Sequence, residues 1–307
     1  MFNRVLVPLD GSGLAERALG PALAVVHATD AELLLLSVPS YQQIIAPAAA
    51  GYGMVPTDQI IDLGRDEAQQ YLAGLRREAR CKECRIRTLV IEGDVAGCIV
   101  DTAAAEGVDL IVMTTHGYSG FTRWMLGSIT ERVLRGAPCP VLVVREDIPL
   151  CKALISLDGS ALAEQALAPG LALARILGCR VTLLRVDTGE ELSAVEQGML
   201  QMAGAGSCQD LVDQGETRLH YYLECLARKH RTPDLTIETA VVQAKPAEAI
   251  LSYAEAEGID LIIMASHGRS GVRRWVYGSV TEKVLRHANR AMLIVRPPGE
   301  DEPEADD

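Results

Sequence analysis

Two copies of one glycine-bearing stretch carry the chemistry this chain can offer. The first runs His116-Gly117-Tyr118-Ser119-Gly120-Phe121-Thr122-Arg123-Trp124-Met125-Leu126-Gly127-Ser128. The second runs His267-Gly268-Arg269-Ser270-Gly271-Val272-Arg273-Arg274-Trp275-Val276-Tyr277-Gly278-Ser279. Each follows a short apolar run (residues 110–113 or 261–264) and precedes a helix-like segment (129–135 or 280–286). The pattern reads strand, glycine loop, helix. A glycine loop entering a helix points backbone N–H groups and the positive dipole end at one spot, which suits a phosphate. Glycines that only shape a tight loop would look the same in a single copy. Duplication weakens that reading, although it would also copy a structural loop.

The elements that must position these loops can be read in order. Residues 3–8 form an apolar run that ends in Leu9-Asp10-Gly11-Ser12. Residues 13–29 have helical spacing, 32–38 read as a buried strand, and 39–57 are loose and rich in Pro, Gly and Ala. A long amphipathic helix covers 58–80, and a strand covers 85–91. Asp94 is placed to cap a helix over 95–106, and strands follow at 109–113 and 141–144.

Everything then repeats. Residues 153–160 match 5–12 at an offset of 148, and the glycine loops match at 151. Second-copy strands are expected at 180–186, 235–242, 260–264 and 291–295, with a loose stretch at 187–209. The expected domains are 1–147 and 148–298, followed by an acidic disordered tail, 299–307.

Strands alternating with helices predict an α/β fold of two doubly wound, five-stranded parallel sheets. Five strands in such a fold commonly take the order 3-2-1-4-5, which is expected in each. The order reverses between strands one and four, and ligands sit beyond the carboxyl ends at that point. Asp10 (or Asp158) ends strand one, and the glycine loop follows strand four. An acidic acceptor and a phosphate cradle therefore meet in one crevice. Pro8, Leu9, Val38 and Met113 are candidates to line an apolar slot in the first copy, and Leu157, Val186 and Met264 in the second. Ordinary core packing is the competing reading for each. Asp10 and Asp158 supply the acceptor, or act only as cap or turn residues. Gly117, Gly120, Gly127 and Ser128 supply the first cradle, and Gly268, Gly271, Gly278 and Ser279 the second. Ser128 and Ser279 are also placed to N-cap the helices that follow. Arg123, Arg273 and Arg274 lie within phosphate reach or in solvent. His116 and His267 have no visible orienting partner, so loop anchoring fits them better than catalysis.

Composition narrows the function classes. At 307 residues there is room for about two domains. Aromatics are only 4% of a chain that is 49% hydrophobic, which predicts aliphatic cores. A net charge of −12 argues against gripping a nucleic-acid backbone. No signal peptide or membrane-length apolar run is apparent, so a cytoplasmic protein without membrane association is expected. Cys81-Lys82-Glu83-Cys84 is a lone pair with no second pair at zinc-site spacing, and it reads as reduced surface thiols.

In both copies the residues resemble the universal stress protein family, in a tandem arrangement spanning 3–145 and 152–296. ATP-binding members carry G-x-x-G-x9-G-[ST]. Here Thr114-Thr115-His116-Gly117 is followed by nine residues and Gly127-Ser128; Ala265-Ser266-His267-Gly268 is followed by nine and Gly278-Ser279. The first glycine of the pattern is Thr114 in one copy and Ala265 in the other. The resemblance implies a Rossmann-like fold of the adenine nucleotide alpha hydrolase type. It also implies ATP or another adenine nucleotide as ligand, with Mg2+ as companion ion. Asp10 and Asp158 would contact adenosine, and Val38 and Val186 adenine. Gly127-Ser128-Ile129 and Gly278-Ser279-Val280 would hold phosphates. The implied role is stress-related and regulatory, with no catalytic residues, no metal site and no dedicated catalysis. A slow ATPase, or a scaffold with degenerate sites that recruits protein partners, are the alternatives. Strand five is implied to pair within the molecule as a pseudo-dimer, with further homodimerisation and an unidentified regulatory partner open.

Overall fold

The computed structural model describes residues 2–39, 57–78, 84–115, 126–145, 150–189, 198, 215–266 and 278–296. Two compact units divide between Val144 and Arg145.

In the first unit β1 (Arg4–Leu9) leads through a 3-10 turn (Ala15–Ala18) into α1 (Leu19–Thr29) and β2 (Glu32–Ser37). Then come α2 (Thr57–Glu78), β3 (Arg85–Val90), α3 (Val95–Ala105), β4 (Leu110–Thr114), α4 (Ser128–Gly136) and β5 (Val141–Val144). The second unit repeats the plan. It has β6 (Lys152–Leu157), a four-residue helical turn α5 (Ala161–Glu164), α6 (Leu167–Leu177), β7 (Arg180–Asp187) and α7 (Gly215–His230). It continues with β8 (Ile237–Gln243), α8 (Pro246–Ala256), β9 (Leu261–Ala265), α9 (Ser279–His287) and β10 (Ala291–Val295). The single helix expected over 13–29 is thus divided, because the chain spends its first turn beyond Ser12 in the tighter 3-10 geometry.

The first sheet runs β3-β2-β1-β4-β5 and the second β8-β7-β6-β9-β10, with every pairing inside each unit parallel. This is the expected order 3-2-1-4-5, twice. Central strands are buried on both faces: Leu33 to Leu36 in β2 and Ile262 with Ile263 in β9 are inaccessible. Continuous aliphatic runs suit this setting, since both sides of a parallel sheet are covered.

Carboxylates at the opposite end of the sheet fix the alignment of strand one with strand four. Asp109 Oδ2 accepts the Asn3 and Arg4 amides at 2.7 and 3.1 Å, and Asp260 Oδ2 accepts the Cys151 and Lys152 amides at 3.0 Å each. Backbone donors at a strand start that would otherwise lack partners are thereby satisfied. Among the described residues, no helix is long and apolar enough to cross a membrane.

Cys139 and Cys179 are buried, and burial pushes both thiols up to about 12. The thiolate is the reactive form, so these two sites should be inert. Cys151 is exposed. Brief iodoacetamide labelling of the native protein near neutral pH, mapped by mass spectrometry, should therefore modify Cys151 and spare Cys139 and Cys179. Equal labelling of all three would contradict the packing.

Candidate functional site

Beyond the carboxyl end of β1 the chain turns sharply at Gly11, whose φ is +82°, and beyond β6 at Gly159, with φ +79°. L side chains rarely tolerate that backbone. The preceding aspartate closes each turn. Asp10 Oδ1 accepts the Ser12 amide at 3.0 Å and the Ser12 hydroxyl at 2.6 Å; Asp158 Oδ1 accepts the Ser160 amide at 2.9 Å. The serine hydroxyls then accept the Ala15 and Ala163 amides, each at 3.1 Å. Asp10 is exposed and Asp158 half-buried. The turn role anticipated as one reading is real, and it fixes where each carboxylate sits.

The register brings the slot candidates beside these aspartates. Leu9 lies opposite Ser37, and Leu157 opposite Arg185, so Asp10 and Val38, like Asp158 and Val186, are one step beyond paired positions. Leu9, Val38 and Met113 are 3%, 8% and 5% exposed, and Leu157, Val186 and Met264 are 2%, 4% and 5%. These six residues are core side chains at the carboxyl ends of the strands. Pro8 is half-buried.

The two units differ beside this floor. Ser37 is buried in the first, whereas the second has Arg185, also buried, donating from Nη1 to the Val186 carbonyl at 2.6 Å. Sequence reading passed over this arginine because it lies within an apolar strand.

The cradle departs from expectation in one detail. Ser128 and Ser279 are not N-caps. Gly127 and Gly278 occupy the N-cap positions, neither helix has a side-chain cap, and each serine is the first helical residue. The reason is a close approach. The Gly127 amide donates to the Thr115 carbonyl at 2.9 Å, and a Cβ on Gly127 would stand 2.5 Å from that oxygen. The Gly278 amide likewise donates to the Ser266 carbonyl at 2.9 Å. A capping side chain has no room at Gly127. The first N–H groups of a helix have no intrahelical partner, so among the described residues α4 and α9 present positive ends without a side-chain cap, beside exposed serines.

Two threonines that sequence reading missed fasten these helices. Thr130 Oγ1 donates to the Thr114 carbonyl at 3.0 Å and the Thr115 carbonyl at 3.2 Å, and Thr281 Oγ1 donates to the Ala265 carbonyl at 3.0 Å. Both are buried. The available signal was their repetition three residues after Gly127 and Gly278. Thr114 and Ala265, where the pattern has glycine, end β4 and β9 as strand residues. Among the described residues Asp30 is the only non-glycine with positive φ, so neither position requires a glycine backbone.

Helix contacts hold the same arrangement by different chemistry in the two units. Asp94 caps α3 as expected, accepting the Gly97 amide at 2.8 Å, and takes both Arg132 nitrogens at 2.7 and 2.6 Å. The Arg132 guanidinium holds the Asp94 carboxyl below its ordinary range, with the Gly97 amide adding to the effect. In the second unit Lys245 occupies the cap position, and the link is Lys283 to Glu248 at 3.2 Å.

Gly117, Gly120, Gly268 and Gly271 lie outside the described residues, as do His116, His267, Arg123, Arg273, Arg274, Cys81 and the residues 299–307. Among the described residues no group of three or more His, Cys, Asp or Glu gathers to hold a metal ion.

The universal stress protein family model matches the chain twice, over residues 1–145 and 152–296. The chain belongs to the universal stress protein family. A relative from Methanocaldococcus jannaschii, universal stress protein MJ0531, is 33% identical over 146 residues, covering 48% of this chain and 84% of the relative. Universal stress protein Rv2005c of Mycobacterium tuberculosis is 26% identical over 300 residues, covering 95% of this chain and 96% of its own length. The fold is also that of a crystallised universal stress protein from Archaeoglobus fulgidus, with a TM-score of 0.69 at 19% identity, covering 96% of this chain and 99% of that one. Rv2005c is thus matched along almost its whole length, whereas MJ0531 spans about half of this family member.

Proposed function

We propose that this universal stress protein binds adenine nucleotide, ATP in the first instance, in the crevice of each unit. On this reading it acts as a stress-related regulatory protein without dedicated catalysis. One observation carries the reading. An anchored carboxylate ends the first strand of each sheet, and a helix N-terminus without a side-chain cap among the described residues follows the fourth. These two strands are neighbours where the strand order reverses. The carboxylate suits ribose or base donors, and the helix end suits phosphates. Asp10, Gly127, Ser128 and Ile129 form the contact set in the first unit, above the Leu9, Val38 and Met113 floor. Asp158, Gly278, Ser279 and Val280 form it in the second, above Leu157, Val186 and Met264. ATP, when bound, supplies the regulatory signal through occupancy; the protein's own residues bind and orient it.

The test begins with the purified protein, denatured and analysed for released small molecules. ATP or AMP is expected among them. ATP added at about a hundred times Kd should stabilise the fold by ~2.7 kcal/mol, a shift of several degrees. Asp10→Ala with Asp158→Ala should abolish the shift. An empty preparation that also shows no shift overturns the nucleotide reading. Sustained ATP turnover lost in the same double variant would make the protein an ATPase instead.

A further inference from the structure

The same side-chain pair stands behind the aspartate turn in both units. Tyr71 Oη donates to Glu16 Oε1 at 3.0 Å, and Tyr222 Oη donates to Glu164 Oε1 at 2.9 Å. Glu16 follows Asp10 by six residues, and Glu164 follows Asp158 by six. From each glutamate the bonding continues to the aspartate. The Glu16 amide donates to the Ser12 carbonyl at 3.2 Å, and Ser12 donates twice to Asp10. The Glu164 amide donates to the Ser160 carbonyl at 3.1 Å, and Ser160 donates to Asp158.

The mechanical need for an outside post is clear in the first unit. Glu16 belongs to a four-residue 3-10 turn whose start is held from one side only, by the Ser12 hydroxyl on the Ala15 amide. Such turns have poorer hydrogen-bond geometry than α-helix and hold weakly alone. Tyr71 belongs to α2, and its neighbour Leu72 is fully buried, so core packing sets the position of the phenol. In the second unit Tyr222 is itself fully buried. Burial first, then the Glu16 hydrogen bond, raises the Tyr71 phenol well above its ordinary range, with the Asp10 charge contributing further. The phenol therefore remains a proton donor to Glu16 at neutral pH.

We infer that Tyr71 with Glu16, and Tyr222 with Glu164, are positioning residues that hold the Asp10 and Asp158 turns in the geometry that receives nucleotide. Both tyrosine hydroxyls are directed to the glutamates. Each acts through its glutamate and the serine turn, so that α2 and α7 set the height of the carboxylate at the carboxyl end of the sheet. This inference rests on the nucleotide reading of the same crevice.

The test uses the full chain in an Asp158→Ala background, so that binding reports the first crevice alone. Tyr71→Phe and Glu16→Ala should each weaken ATP binding three- to tenfold by calorimetry. Glu16→Gln keeps the accepting oxygen and should remain within twofold of the background. A second measurement needs no nucleotide: the Ala15 and Glu16 amides should exchange three- to tenfold faster in Tyr71→Phe, with β1 and α2 amides unchanged. Equal losses in Glu16→Gln and Glu16→Ala, or unchanged exchange with unchanged affinity, overturn the positioning role. If ATP does not bind the background protein, the nucleotide reading falls. Accelerated exchange would then still support the tether, and unchanged exchange would overturn it as well.

Discussion

Gly127→Ala should weaken ATP binding at the first crevice by tenfold or more, and should also lower the melting temperature. The added Cβ would stand 2.5 Å from the Thr115 carbonyl oxygen. That oxygen is backbone at the end of β4 and already accepts the Gly127 amide at 2.9 Å, so relieving the clash means stretching that bond and moving the start of α4. Forced overpacking of this kind costs roughly 1–3 kcal/mol. A displaced helix end also aims its N–H groups away from the phosphates. Gly74→Ala is the control: it sits inside α2, and a Cβ there meets nothing within 4 Å. That change should stabilise by up to about 1 kcal/mol through helix propensity. Thermal unfolding and ATP titration of both variants decide the matter. Binding by Gly127→Ala equal to wild type would show that the helix start is not the phosphate contact.

Thr130→Val and Thr281→Val should have the next largest effects, each confined to its own unit. The substitution keeps the shape and removes a buried hydroxyl that fastens helix to strand. Thr281 serves the Ala265 carbonyl at 3.0 Å, and Thr130 serves both Thr114 and Thr115. Losing such a hydrogen bond costs about 0.5–1.5 kcal/mol; the Thr115 carbonyl keeps the Gly127 amide. Thr→Ser at either position retains the hydroxyl and should recover most of the loss. Chemical denaturation measures the stability, and ATP affinity measured with the other site disabled reports the crevice. Valine variants as stable as wild type would mean that the helix is held by packing alone.

How much was legible beforehand follows from the range of the interactions involved. Strand order, the doubling and the placing of Asp10, Asp158 and the glycine loops at one end of each sheet are visible in the sequence. The doubling and the strand spacing depend on local periodicity, and 3-2-1-4-5 is an order that five-stranded sheets of this class commonly take. Asp94 as a cap was legible for the same reason, because its partner amide is three residues away. The N-cap assignment was not. Serine is the better cap by type, but a carbonyl from twelve residues earlier occupies the space beside Gly127, and only the folded chain brings it there.

By itself, then, the sequence determined two α/β units of one pattern, each with an aspartate and a glycine-bearing loop at the point where the strand order reverses. Tertiary structure alone decided three things. It made Thr130 and Thr281 the fasteners of the helices. It joined Tyr71 to Glu16 and Tyr222 to Glu164 across separations of 55 and 58 residues. It also set buried Arg185 against the Val186 carbonyl in the second unit, where the first has Ser37. The first two share one physical reason; in the third the bonded residues are sequence neighbours, and packing decided only that the guanidinium is buried. Periodicity records which face of an element is apolar, whereas a hydrogen bond between elements depends on register and height, which packing settles only when the sheet and its helices are assembled.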